Sequence, residues 1–158
     1  MKPFYPLLHL RPLLLVVLFP ALLVWLAHAS MAAPGSGIGM AGPALIVVGL
    51  LLLLPAHWQL YKPAQWAEQS SPFDEPNTLV TNGAYAYLRH PQLVGIYLIL
   101  FGEALWFASW LLALYAVLVL VTSARVAVRF EEARLQDAFG TAYESYASKV
   151  KRFVPGLF

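Results

Sequence analysis

Residues 87–95 read Tyr-Leu-Arg-His-Pro-Gln-Leu-Val-Gly, and beyond this triplet the only formal charge from Gln92 to Ala124 is Glu103. Past that apolar stretch come two adjacent acids, Glu131 and Glu132. An arginine and a histidine can give charge-assisted hydrogen bonds to an anion. Paired carboxylates can hold a cation or serve as general bases. A zwitterionic ligand with an aromatic ring would suit both halves, provided that folding brings them to one place.

Each residue also has a plainer use. Arg89 at a helix end can snorkel to lipid head groups. Pro91 is ordinary punctuation for the first turn of a helix. Arg125 with Arg129, or Arg129 with Glu132, stand at helical spacing for surface pairing. His9, His28 and His57 are scattered singly, and no metal-ligand spacing links them. The chain has no cysteine, so neither a disulfide framework nor a thiolate metal site is available.

The elements that must position these groups are membrane helices. Sixty per cent of the 158 residues are hydrophobic and 11% charged. A soluble domain carries about 25% charged residues, too many to be matched here. A helix needs roughly 20 mainly apolar residues to cross a bilayer. Four segments qualify, at about 12–29, 38–61, 92–107 and 110–128. The expected architecture is all-α: a polytopic membrane protein with four transmembrane helices, the last two a tight hairpin. A C-terminal cytosolic helical region, 129–158, completes a single membrane domain. Pro20 should kink the first span, and residues 62–84 read as a loop. Lys2 followed by an apolar run and Ala27-His28-Ala29 also resembles a cleavable secretory signal.

With four spans, all ten basic residues fall on one face. That face is expected to be cytosolic, with both termini, at a bacterial inner membrane. After Gly140, Thr141-Ala-Tyr-Glu144 fits a capping box. Tyr143, Tyr146 and Val150 give the next helix one apolar face. Lys149, Lys151 and Arg152 then lie where the helix dipole and anionic head groups favour them.

Counting outward from the turn near residues 108 and 109 puts His90 level with about Ala127, and Tyr85 level with about Glu132. Arg89 and Glu131 should differ in depth by only a few ångströms. A polar cluster of Arg89, His90, Arg125, Arg129, Glu131 and Glu132 is expected at the membrane boundary, with Tyr85, Tyr87 and Tyr146 as aromatic walls. The same counting sets Glu103 beside Leu114 and Tyr115. A hydrogen bond to the Tyr115 hydroxyl, or exposure near the far interface, is its expected fate.

The order of these motifs resembles the isoprenylcysteine carboxyl methyltransferase and phospholipid methyltransferase superfamily. The resemblance rests on Gly83, Tyr85, Arg89, His90, Pro91, Gly95, Glu131, Glu132, Leu135, Phe139, Gly140, Tyr143, Tyr146 and Pro155, across about residues 79–155. Leu93 replaces a tyrosine and Lys151 a proline of the family pattern. The resemblance implies a membrane enzyme that uses S-adenosylmethionine as methyl donor. It implies that the Arg-His-Pro segment and the Glu-Glu pair bind that donor, the expected set being Tyr85, Arg89, His90, Gly95, Glu131, Glu132 and Tyr146. Arg89 and Glu132 are the candidates for a catalytic role. Gly95 would let backbone approach the ligand or a neighbouring helix.

The expected partners are membrane lipids and an apolar or lipid-tailed acceptor, with no nucleic acid. The absence of a Gly-x-Gly-x-x-Gly turn after a strand leaves a Rossmann-type methyltransferase unsupported. Two alternatives stand beside this reading: a nicotinamide-dependent membrane reductase of related topology, and a non-enzymatic membrane scaffold.

Overall fold

The computed structural model describes residues 14–26, 40–60 and 78–153. Much of the expected 62–84 loop, His9, His28 and Pro155 lie outside them. Helix α1 is Phe19–Leu26, continuing a π-helical stretch Leu14–Leu18; α2 is Ala41–Leu60; a 3₁₀ turn covers Gly83–Ala86. Then come α3, Pro91–Trp106; α4, Trp110–Val126; a second π-helical stretch, Ala127–Glu131; α5, Glu132–Phe139; and α6, Thr141–Lys149. Among the described residues the one β feature is an isolated parallel bridge between Leu88 and Lys151.

Two helices among the described residues are long and apolar enough to cross a bilayer: α2, mean hydropathy 1.8, and the continuous rod Trp110–Phe139, mean hydropathy 2.2. Helix α3 is equally apolar in character but shorter. Leu51, Leu54 and Trp58 on α2, and Trp110, Leu114 and Leu118 on α4, are exposed. Large apolar faces of this kind suit lipid rather than water. The π-helical stretch gives way to α-helix at Phe19, one residue before Pro20. Proline has no N–H to return to the preceding turn, so the regular ladder is interrupted there.

Helices α2 and α3 pack backbone to backbone. A Cβ on Gly49 would stand 2.7 Å from the Gly95 carbonyl oxygen, and one on Gly95 would stand 2.9 Å from the Gly49 carbonyl. Two turns away the same contact recurs, with Gly42 against Gly102. In lipid no hydrophobic driving force holds helices together, so close approach through small residues supplies the packing. Gly95 therefore faces α2, the second of the two uses left open by the sequence.

The link from α3 to α4 is three residues long. Ser109 N–H bonds back to Ala104 O (3.0 Å) and Ala108 N–H to Leu105 O (3.2 Å), a Schellman-type ending that places Ala108 at φ 46°. Ser109 then caps α4 by accepting from the Leu112 N–H. At the other end of the chain, the N-cap of α6 is Gly140, not Thr141. The capping box expected from Thr141 and Glu144 does not form, because Thr141 is already one residue inside the helix. Glu144 accepts instead from Gln136 Nε2 at 2.7 Å.

Two substitutions test this frame by thermal unfolding in detergent. Gly95→Leu should destabilise by about 1–3 kcal/mol, because the atoms it meets are backbone and cannot yield. Ala108→Gly should stabilise by about 1 kcal/mol, because an L-residue is disfavoured in the left-handed region.

Candidate functional site

Glu132 is the centre of the site. It is 8% exposed, yet it lies beyond the apolar part of its rod, which gives way to charged residues at Arg125. A rod of 30 residues is about 45 Å long, against a hydrocarbon core of about 30 Å, so its last turns stand outside. The inward-facing residues of the rod are Leu112, Ala116, Val119, Ala127 and then Glu132. The last step is five residues because the π turn closes there, with Glu132 N–H bonding to Ala127 O. A plain α-helix would have turned Glu131 inward.

Three side chains from two segments converge on the Glu132 carboxylate. Arg89 Nη1 donates to Oε2 at 3.0 Å. His90 Nε2 lies 3.2 Å from Oε1. Arg152 donates from Nε to Oε1 at 2.9 Å and from Nη2 to Oε2 at 3.0 Å. Arg89 is committed on its other nitrogens as well, Nε to Val150 O (2.8 Å) and Nη2 to Ala147 O (3.2 Å). Burial raises the Glu132 pKa, but the hydrogen bonds from His90 and Arg152 and the charges of Arg89 and Arg152 outweigh it and hold the group at about 2. The bond to Glu132 in turn raises the Arg152 pKa.

Local backbone explains why His90 and Arg152 meet. His90 is the N-cap of α3, with Pro91 at its first position. A residue before proline is kept out of the helical region, and His90 sits at φ −124°, ψ 58°. The segment 88–90 is thus extended and can pair with another extended segment. The chain after α6 supplies it: Arg89 N–H donates to Lys151 O at 2.8 Å and His90 N–H to Arg152 O at 3.2 Å. Phe153 then stacks on the His90 ring, centroids 5.4 Å apart. His90 Nδ1, on the far side of the ring from Nε2, faces Glu131 Oε2 at 3.6 Å. Glu131 is half-exposed.

The tyrosines form a second layer. Tyr85 is buried; its hydroxyl accepts from Gln92 Nε2 (2.9 Å), and its carbonyl accepts from the Tyr146 hydroxyl (2.7 Å). Burial, then the neighbouring Tyr143, raises the Tyr146 pKa. Tyr143 is buried beside Glu132 and Arg89, yet its hydroxyl has no partner in hydrogen-bond geometry among the described residues.

Of the expected set, Arg89, His90, Glu131 and Glu132 come together, with Tyr85 and Tyr146 tied to the same segment. Gly95 packs on α2 instead. Arg125, Arg129 and Tyr87 are exposed and take no part in the network. His90 meets the Glu131–Glu132 pair rather than the level of Ala127, about one turn further along. Arg152 and Phe153 were not expected here. The sequence presents Arg152 as a head-group cation, and nothing in it shows that the tail returns beside residues 88–90. Tyr146 belongs to the expected set, whereas the place of Tyr143 beside Glu132 is not legible from its spacing, which shows an apolar helix face.

The phospholipid methyltransferase profile matches residues 38–142, about two thirds of the chain. The chain belongs to that family. Similar curated proteins include a protein-S-isoprenylcysteine O-methyltransferase of Schizosaccharomyces pombe (strain 972 / ATCC 24843), 35% identical over 82 residues. That match covers 52% of this chain and 35% of the yeast protein. A probable protein-S-isoprenylcysteine O-methyltransferase of Oryza sativa subsp. indica is 30% identical over 83 residues, 52% of this chain and 44% of the rice protein. The matched stretch thus spans less than half the length of each relative.

The geometry predicts an acid-labile site. The folded pKa of Glu132 is depressed below the ordinary value of 4.5. Its contribution to stability is complete above the unfolded value and is lost as pH falls through about 2. Thermal unfolding followed down from neutral pH should therefore show a loss of stability below the ordinary carboxylate range. In Glu132→Gln that loss should be smaller, on a baseline lowered by about 3–5 kcal/mol.

Proposed function

We propose that this protein is an integral membrane methyltransferase that uses S-adenosylmethionine as donor and a lipid-like or apolar small molecule as acceptor. The observation that carries the reading is the convergence of the Arg89–His90 segment, the Glu131–Glu132 pair and the Arg152 tail in a member of this family. In the proposed topology four helices span the bilayer, α3 and α4 as a hairpin, with the site facing the cytosol. The residues present suit such a donor. They provide cations, a carboxylate with spare acceptor capacity and aromatic rings, beside a buried hydroxyl that lacks a partner.

When bound, a sulfonium donor supplies an electrophilic methyl group for in-line displacement. Glu132 is saturated by Arg89, His90 and Arg152, so it acts as an anchor that fixes those three groups. Glu131 has free acceptor capacity and takes an ammonium group or ribose hydroxyls. Arg152 binds Glu132 through Nε and Nη2; its Nη1 has no partner among the described residues and takes a carboxylate. The Tyr143 hydroxyl completes the polar wall. Rigid groups of this kind favour the reaction by holding donor and acceptor in line. An amine or phenol acceptor would need a base, for which Glu131 with His90 is placed; a thiolate or carboxylate acceptor would not. The reductase alternative draws no support from the site or from the relatives named above.

Calorimetric titration of the detergent-solubilised protein with S-adenosylhomocysteine tests the donor site. Saturable binding is expected. Glu131→Gln should weaken it about tenfold, the scale of one hydrogen bond to a charged group, with little change in Tm. Absence of binding by the folded wild-type protein would overturn the reading. Incubation with radiolabelled S-adenosylmethionine, and either prenylated cysteine analogues or aminophospholipid vesicles, then identifies the acceptor class.

A further inference from the structure

The proposed chemistry leaves one partly buried acid of α3, Glu103, unused. Glu103 lies about 20 Å along α3 from His90, at a rise of about 1.5 Å per residue, and so stands near the opposite end of the helix. Its Oε2 is buried and has no hydrogen-bond partner among the described residues. The expected pairing with the Tyr115 hydroxyl does not satisfy that atom. The Tyr115 ring stacks on Phe19 of α1, centroids 5.8 Å apart. Among the described residues Glu103 is the one ionisable side chain lining a cavity of about 460 Å³ between the N-terminal helical segment and the end of α3. The other walls are apolar or aromatic, among them Val16, Pro20, Trp25 and Phe107.

This combination selects a chemistry. A carboxylate oxygen removed from water without a partner is costly, and an opposite charge offsets that cost. A hard metal ion needs about six oxygen ligands, and among the described residues this cavity offers one carboxylate. A compact ammonium needs only a few acceptors and also gains from a nearby indole, and Trp25 is in the same lining. The aliphatic wall along α1 suits a hydrocarbon chain. We infer that the cavity is a second ligand site, distinct from the Glu132 cluster, that binds a primary ammonium group carried on an apolar chain. The ammonium rests on Glu103 and the chain lies against Val16 and Pro20. Both an aminophospholipid and a free alkylamine have this chemistry.

The test uses the full chain in phosphatidylcholine nanodiscs, with equilibrium binding of tritiated dodecylamine. A saturable component above lipid partition is expected in the wild type. Glu103→Gln is close to isosteric and should weaken saturable binding by about tenfold or more, whereas Glu103→Asp should retain most of it. Glu103→Gln must keep the wild-type elution volume and Tm, so that weakened binding is not loss of fold. With phosphatidylethanolamine added to the discs, a rightward shift assigns the site to the bilayer's own aminolipid; no shift assigns it to a free amine. Absence of a saturable component in the wild type, equal affinity of wild type and Glu103→Gln, or binding of tritiated dodecanol as tight as that of the amine, would overturn the proposal.

Discussion

One buried carboxylate organises the cytosolic-facing end of this protein in the topology proposed above. Glu132 is withdrawn from water, and a charge in that position must be paired or it opposes folding. The partners come from separate segments: Arg89 and His90 before α3, and Arg152 after α6. A short parallel bridge and the Phe153 ring reinforce the same closure. Because the carboxylate is saturated, the groups around it are held in fixed positions, which is the requirement for orienting a ligand. The half-exposed Glu131 and the unpartnered Tyr143 hydroxyl are what the network leaves open.

That network depends on where α3 begins, and α3 is set by its packing against α2. Glycine contacts at two levels let the backbones touch, so the pair resists sliding and rotation. The outer faces stay apolar, and the charged groups among the described residues gather at the Glu132 end. Glu103 is the exception, a carboxylate near the far end of α3 on a cavity wall. The molecule thus has an ionic cluster rich in partners at one end and a lone acid in apolar surroundings at the other.

Much of the helical frame was legible in the sequence because it rests on local chemistry. Apolar run lengths marked the helices, His90-Pro91 marked the start of α3, and the small number of residues between Trp106 and Trp110 marked a sharp turn. Equal spacing from that turn placed Arg89 near the paired glutamates, and that contact is present. The approximation fails where the helix is not regular. A single π turn shifts the inward face by one residue, and this decides that Glu132 is buried and Glu131 is not.

Composition, order and spacing therefore determined that the chain forms apolar helices and that its few charges gather beside them. Only the tertiary structure decided which charges meet. The return of the C-terminal tail to residues 88–90 brings in Arg152, while Arg125 and Arg129 stay outside although their spacing looked as favourable. Gly95 serves a helix contact, not the polar cluster. The physical reason is common to these cases. Run length and capping act between residues a few positions apart, whereas pairing across long gaps depends on helix phase and on the path of a tail, and each can change with one residue of backbone geometry.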